Sequence, residues 1–211
     1  MATAPAEMAM FPLQSVLFPG DDLPLHVFEE RYRRLVADCL AADGRFGVVL
    51  IARGSEVGGV DERCDVGTTA RIVRAQPLSD GRWRLLAVGE ERIAVHRWLD
   101  DNPYPRAEVT AFGDDGDEAD AASYTEARRL VTRARALLCE LGGPPMREVS
   151  DDELTGGWTL CREAPLGAFD RQRLLATASV RARLELLCGL CAETTEDLAA
   201  LITGRGGAPE A

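Results

Sequence analysis

The chain has 211 residues and a formal net charge of −11, and 46% of its residues are hydrophobic. This length fits one large domain or two small ones, and no apolar run approaches the roughly 20 residues of a membrane-spanning helix. Residues 1–113 carry 13 arginines against 17 carboxylates, and residues 114–211 carry 11 against 18. Neither half is basic, which argues against a nucleic-acid-binding protein, because such proteins neutralise phosphates with clustered basic side chains.

The first informative stretch is 10–36, where three prolines stand among apolar residues. Because proline lacks a backbone donor, Pro12, Pro19 and Pro24 predict strand edges or kinks. An amphipathic helix is predicted next. Its apolar face would hold Phe28, Tyr32, Leu35, Val36, Cys39 and Leu40. The basic cluster at residues 31–34 predicts a solvated face that pairs with neighbouring carboxylates.

Short strands are predicted after this helix, because apolar and β-branched residues recur between turn residues. We place them at residues 46–52, 67–76, 83–88, 92–98 and 106–112. The Asp80-Gly81 pair predicts a hairpin turn, and Gly89-Glu90 predicts a second turn. The acidic, glycine-containing segment 113–118 predicts a domain boundary.

Helices are predicted beyond this boundary, since the apolar period changes to that of a helix. A first long helix would end at Gly142-Gly143. Ser150 and Glu153 predict a capping box for the next helix. A short helix at residues 169–177 and a long one at residues 180–202 follow, and together these predict a bundle.

All 24 basic residues are arginine, and the chain contains no lysine. A phosphate-binding P-loop, a Ser-Lys dyad and a Schiff-base lysine each require a lysine side chain. No G-x-S-x-G nucleophile elbow is present either. We therefore expect no catalytic residues, no cofactor and no metal. Residues 1–7 lack the basic and apolar regions of a secretory signal, so we expect a cytoplasmic protein.

Four motifs of the first stretch resemble, in the same order, the opening of the N-terminal, substrate-binding domain of Lon proteases. They are Phe11-Pro12-Leu13, Phe18-Pro19-Gly20, Leu23-Pro24-Leu25 and Phe28-Glu29-Glu30-Arg31-Tyr32. The resemblance covers about residues 8–202 and is weaker in the helical part. Since the lysines of an ATPase and of a Ser-Lys peptidase are missing, it implies a stand-alone member without those two domains.

The resemblance implies an α+β fold, in which an N-terminal twisted β-rich pseudo-barrel of the PUA-like type, with one inserted helix, precedes a C-terminal helical bundle. We expect the β-rich domain at residues 8–113 and the bundle at residues 118–203. Residues 1–7 and 204–211 are expected to be flexible tails.

The resemblance further implies a non-catalytic module that binds peptides or unfolded client proteins. Binding would use apolar surface or a sheet edge, at the groove between sheet and bundle. The predicted peptide-binding residues are Leu17, Phe18, Pro19, Leu23, Pro24, Leu25, Phe28 and Tyr32, although some of these must be core. We expect polypeptide clients or a partner protein, with a homodimer as an alternative, and neither nucleic acid nor membrane.

The residues alone leave two other classes of function open. One is RNA binding, by analogy with PUA-like modules, and the acidic charge opposes it. The other is a cysteine-dependent enzyme, since Cys188 and Cys191 form a C-x-x-C and His26 and His96 are candidate bases. The pair lies in a helical pattern, where a structural role in the core is the preferred interpretation.

Overall fold

A computed structural model of the chain describes residues 4–53, 62–116, 119–147, 149 and 153–206. The chain divides into two compact units, residues 1–113 and residues 114–211. The first unit is β-rich with one helix, and the second is helical. The predicted α+β class, a β-rich pseudo-barrel followed by helices, is therefore confirmed.

The described part of the N-terminal unit forms one six-stranded sheet with a helix after the second strand. The elements are β1 Ala6–Leu13, β2 Asp22–Val27, α1 Glu30–Ala41, β3 Arg45–Arg53, β4 Glu62–Pro77, β5 Trp83–Trp98 and β6 Arg106–Ala111. The strand order is β2-β5-β4-β3-β1-β6, and β6 also pairs with β5. Because β6 pairs with both β1 and β5, the sheet closes on itself as a barrel and β2 is left at an edge.

Strand β5 is long enough to pair with three neighbours. It pairs with β4 through residues 83–94, with β2 through residues 83–88 and with β6 through residues 93–98. The turn predicted at Gly89-Glu90 is wrong, since both residues lie inside this continuous strand. The glycine has a different role, because a Cβ at Gly89 would overlap the carbonyl oxygen of Phe18.

This close approach ties the turn before β2 to the sheet. The Asp21 N–H donates to the Phe18 carbonyl at 3.1 Å and closes a Pro19-Gly20 turn, in which Gly20 has a φ of 80°. Proline followed by a left-handed glycine is the sequence of a type II turn. The Gly20 N–H donates to the Gly89 carbonyl at 2.8 Å, and the Gly89 N–H donates to the Asp21 carbonyl at 2.9 Å. These bonds fix the point at which β2 begins.

Helix α1 begins later than the apolar periodicity predicts. Glu29 is its N-cap residue and Glu30 its first helical residue, so Phe28 precedes the helix. Phe28 is 55% exposed and Leu40 is 43% exposed, whereas the other predicted face residues are buried. Their assignment to the buried face is wrong, because Phe28 lies on the segment that joins β2 to α1 and Leu40 lies at the margin of the apolar stripe.

The core of the N-terminal unit joins α1 to the inner face of the sheet. Phe11 of β1 stacks on Tyr32 of α1, with ring centroids 4.1 Å apart and planes 10° apart. The buried hydroxyl of Thr68 donates to the Leu17 carbonyl at 2.6 Å, so a polar group inside the core is satisfied. The main apolar cluster consists of Phe11, Leu13, Leu17, Val27, Tyr32, Leu35, Val36, Cys39, Phe46, Val48, Ala70, Leu85 and Ala87.

The C-terminal unit contains four helices within its described residues. They are α2 Ala121–Glu140, α3 Glu153–Glu163, α4 Ala168–Ala176 and α5 Val180–Gly206. Asp120 caps α2 by accepting a hydrogen bond from the Ser123 N–H at 2.8 Å, and the left-handed Gly142, with a φ of 90°, follows its end. The predicted capping box cannot be placed, because Ser150 lies outside the described residues.

Two buried charges of the helical unit are paired, as burial requires. Glu163 is 2% exposed and accepts hydrogen bonds from the Arg135 guanidinium at 3.2 Å and from the Arg147 N–H at 3.0 Å. Arg183 is equally buried, stacks 3.8 Å above the Trp158 ring and pairs with Asp114. Through Arg147 and Asp114, these contacts attach the segment before α3 and the segment before α2 to the helices.

The ordered chain extends into both predicted tails. Ala6 and Glu7 belong to β1, because they pair with Val109 and Glu108 of β6. Residues 204–206 belong to α5. Residues 1–3 and 207–211 of the predicted tails lie outside the described residues.

We predict that Gly89→Ala lowers the free energy of unfolding of the N-terminal unit by about 1–3 kcal/mol. The added methyl group would overlap the Phe18 carbonyl and lie 3.2 Å from the Leu17 Cγ. Gly113→Ala is the matched control, since its Cβ meets nothing within 4 Å. Urea denaturation followed by circular dichroism measures both, and equal stability of the two variants would contradict the structural role of Gly89.

Candidate functional site

The eight residues predicted to bind peptide are divided between core and surface. Leu17 and Phe18 are 4% and 0% exposed, so the structure places both in the core and not on a surface. They are buried because they anchor the turn that precedes β2. Of the others, Tyr32 is buried but borders a pocket, Pro19, Leu23 and Leu25 are half-buried, and Pro24 and Phe28 are exposed.

A small apolar pocket lies between β1, β2 and the start of α1, with a volume of about 90 Å³. It is lined by Phe11, Leu13, Leu25, His26, Val27, Phe28, Glu29 and Tyr32. Three predicted binding residues, Leu25, Phe28 and Tyr32, therefore meet at this pocket. Pockets for cofactors and drug-sized ligands are typically about 300–1,000 Å³, so this one is of a size for a single apolar side chain.

Strand alternation builds two walls of the pocket. Phe11 and Leu13 are two residues apart on β1, and Leu25 and Val27 are two residues apart on β2, so each pair points to one face of its strand. Sequence reasoning misses Phe11, Leu13, His26, Val27 and Glu29 as pocket residues. The alternation in both segments is the signal that could have found the apolar ones.

Phe28 stands at the rim of the pocket with 55% of its surface exposed. Single exposed apolar residues are common, but one that adjoins an apolar depression is typical of a binding surface. The floor beside it is held by the stacked rings of Phe11 and Tyr32. The arrangement offers an exposed aromatic contact next to an apolar cavity.

The edge of β2 is a less favourable place for an added strand. Its register runs from Asp22, opposite Val88, to Val27, opposite Trp83. Pro24 lies in the middle of this strand and removes one backbone donor, which is a common way to block pairing at a sheet edge. The pocket is therefore better suited than the strand edge to hold a ligand.

The basic cluster at the start of α1 pairs with carboxylates, as its sequence predicts. Arg31 lies 3.0 Å from Glu29, Arg33 lies 2.8 Å from Glu30, and Arg34 lies 3.2 Å from Asp38. Arg31 also stacks 4.6 Å from the centroid of the Tyr32 ring. These pairs leave the pocket side of α1 without an excess of positive charge, and they do not form a phosphate-binding surface.

Comparison with known proteins identifies the family. The sequence profile of the ATP-dependent protease La (LON) substrate-binding domain matches residues 7–193. The chain belongs to this family.

Full-length Lon proteases contain a region similar to this chain. Lon protease of Anaeromyxobacter dehalogenans (strain 2CP-C) is 27% identical over 194 residues, which cover 88% of this chain and 23% of that protein. Lon protease 2 of Myxococcus xanthus gives the same identity and the same coverage. The chain thus spans less than a quarter of the length of these curated relatives.

Solved Lon domains share the fold. A Lon N-terminal domain protein from Xanthomonas campestris is 32% identical and has a TM-score of 0.67, covering 87% of this chain and 98% of that chain. The N-terminal domain of Mycobacterium avium complex Lon protease has a TM-score of 0.61 at 16% identity, covering 89% and 99%. The second comparison shows likeness of fold alone. Within the described residues of this Lon-family chain, no helix has the length and apolar character needed to cross a membrane.

Four cysteines of this Lon-family chain do not resemble activated nucleophiles. Burial raises the pKa of the Cys39 and Cys191 thiols to about 12, and burial also raises the pKa of the Cys64 and Cys188 thiols. The nucleophilic form is the thiolate, so these shifts disfavour reaction at neutral pH. Among the described residues, no three His, Cys, Asp or Glu side chains cluster in a way that could hold a metal ion.

We predict that Cys39 and Cys191 stay unmodified when the native protein is treated with iodoacetamide at about pH 8, because their thiols remain protonated and buried. The same protein unfolded in urea should be labelled at all six cysteines. Mass spectrometry of peptides after digestion gives the result for each site. Rapid labelling of native Cys191 would contradict the structural role of the C-x-x-C. It would instead support a function that uses a reactive thiol.

Proposed function

We propose that this protein binds extended polypeptide segments by seating an apolar side chain in the pocket between β1, β2 and α1. The observation that carries the proposal is the exposed Phe28 beside this pocket. The family supports it, since the matched domain is described as the substrate-binding part of an ATP-dependent protease. The substrate of such a domain is polypeptide.

The geometry of the pocket supports one side chain as the unit that is recognised. Its volume of about 90 Å³ and its mainly apolar lining favour an aliphatic residue, and the ring of Phe28 can cover that residue from the solvent side. Aromatic residues that bury most of their surface in a complex commonly contribute a large share of its affinity. Binding would depend on exposed apolar side chains, which unfolded proteins present and folded proteins bury.

We predict that Phe28→Ser weakens binding of a short uncharged peptide with alternating Leu and Phe residues by about tenfold. Fluorescence anisotropy of the labelled peptide measures the dissociation constant. Phe169→Ser is the matched control, since Phe169 lies on α4 and is 63% exposed. Both substitutions remove an exposed phenylalanine and change no charge, so a general loss of surface apolarity would affect both variants equally.

Equal affinities of Phe28→Ser and the wild-type protein would refute the assignment of the pocket. Thermal unfolding of both variants shows whether either has lost its fold. A second substitution, Leu25→Ala, removes a wall of the pocket and should reduce the affinity in the same direction.

A further inference from the structure

The outer face of strands β2, β5 and β4 forms a second surface of different character. Strand register aligns Asp22, Val88 and Arg71 in one row, Pro24, Leu86 and Arg74 in the next, and His26, Arg84 and Gln76 in a third. All nine side chains are exposed or half-buried. The alternate residues of the same strands, such as Leu85 and Ala87, are buried in the core. We call this surface the outer face.

Two arginines of the outer face have no carboxylate partner among the residues that the structure describes. Neither Arg74 nor Arg84 forms an ion pair with any residue that the structure describes. The other exposed arginines of the N-terminal unit each lie 3.9 Å or less from a described carboxylate. The protein has a net charge of −11 and therefore an excess of carboxylates. Two adjacent guanidinium groups that pair with none of the described carboxylates are a local exception.

Sheet register places these two arginines next to each other. Arg74 is opposite Leu86, and Arg84 is opposite Gln76, so the arginines are diagonal neighbours across two strands. Diagonal partners of this kind have Cα atoms about 7–8 Å apart, within reach of one ligand. The nearby carboxylate of Glu90 is already shared by Arg45 and Arg71 at 2.7 and 2.5 Å, and Asp22 lies in the row furthest from Arg84.

Apolar side chains lie between and beside these charges. Val73 is the extra residue at a bulge, where the register shifts between Ile72 and Arg74, and it is 44% exposed. Leu86 is half-buried and Pro24 is exposed in the central row. The bulge pushes an apolar residue towards solvent beside Arg74. A ligand of the outer face would therefore need both negative charge and apolar groups.

We propose that the outer face binds an acidic polypeptide segment whose Asp or Glu side chains pair with Arg74 and Arg84 while its apolar residues contact Val73, Pro24 and Leu86. Nucleic acid fits less well, because single strands are held mainly by stacking on aromatic side chains and the nine residues of this face include no Phe, Tyr or Trp. Two guanidinium groups also neutralise few phosphates. This surface meets the pocket only at His26, and it would give preference for acidic over uncharged segments.

The test uses two labelled peptides that have the same leucines, one with Asp and Glu and one with Asn and Gln in their place. Arg74→Ala/Arg84→Ala should bind the acidic peptide about fivefold more weakly than the wild-type protein does, because each exposed ion pair adds a modest amount. Val73→Ser should lower the affinity in the same direction. The preference for the acidic peptide should fall as salt is added.

Arg53→Ala/Arg97→Ala is the matched control. Both arginines are exposed, both lie on the N-terminal unit, and both already pair with carboxylates. The two double variants therefore have the same net charge, and only the variant of the outer face should lose affinity for the acidic peptide. Phe28→Ser should keep the preference for the acidic peptide, so failure of this proposal and failure of the pocket assignment give different results.

Four outcomes would overturn the proposal. Equal affinity for the acidic and uncharged peptides would show that charge is not recognised, and equal loss in the two double variants would show only a general field effect. An oligodeoxythymidine that binds more tightly than the acidic peptide, and loses this binding in Arg74→Ala/Arg84→Ala, would assign the face to a nucleic acid. A dimer in sedimentation velocity that the same variant abolishes would assign it to a second copy of the chain.

Discussion

The close contact of the Phe18–Asp21 turn with Gly89 of β5 determines much of the N-terminal unit. Two backbone hydrogen bonds, from Gly20 to Gly89 and from Gly89 to Asp21, hold this turn against the middle of β5. A side chain at position 89 would prevent the contact. On one side of this point β5 pairs with β2, and on the other it pairs with β6. The contact therefore lies where the barrel closes and where the edge strand begins.

The motif Phe18-Pro19-Gly20, which carries part of the family resemblance, has a structural role. Phe18 is fully buried, and Pro19 and Gly20 form the turn. The carbonyl of Leu17 accepts a hydrogen bond from the Thr68 hydroxyl. The side chain of Phe18 packs in the core. The residues that follow it, on β2 and before α1, are the ones that border solvent. The family motif and the binding surface are thus neighbours in sequence, but the motif is explained by core packing and the surface by the residues that follow it.

Local periodicity and charge spacing predict most elements and the paired arginines of α1, whereas the fold class comes from the resemblance to Lon N-terminal domains. Sequence reasoning fails at Gly89, since a glycine that allows close backbone approach looks the same in sequence as a glycine in a turn. It also assigns Phe28 to the buried face of α1, although Phe28 is among its binding residues, because the residue at which the helix begins decides whether that ring faces the core or the solvent. The pocket depends on β1, β2 and α1 meeting in space. Alternation places Phe11 and Leu13 on one face of β1, but it does not indicate that this face meets β2 and α1.

The strict alternation of β2 gives the N-terminal unit two surfaces from one short strand. Leu25 and Val27 point to the pocket, while Asp22 and Pro24 point to the outer face, and His26 lies at the border of both. A shift of register by one residue would exchange these sets, so the bonds at Gly89 that fix the start of β2 also fix which residues each surface receives.

Substitutions at well-separated sites have nearly additive effects. An apolar contact at Phe28 and an ionic contact at Arg74 and Arg84 would therefore contribute independently, and a segment that carries both an apolar and an acidic residue at suitable spacing would bind more tightly than either contact alone allows.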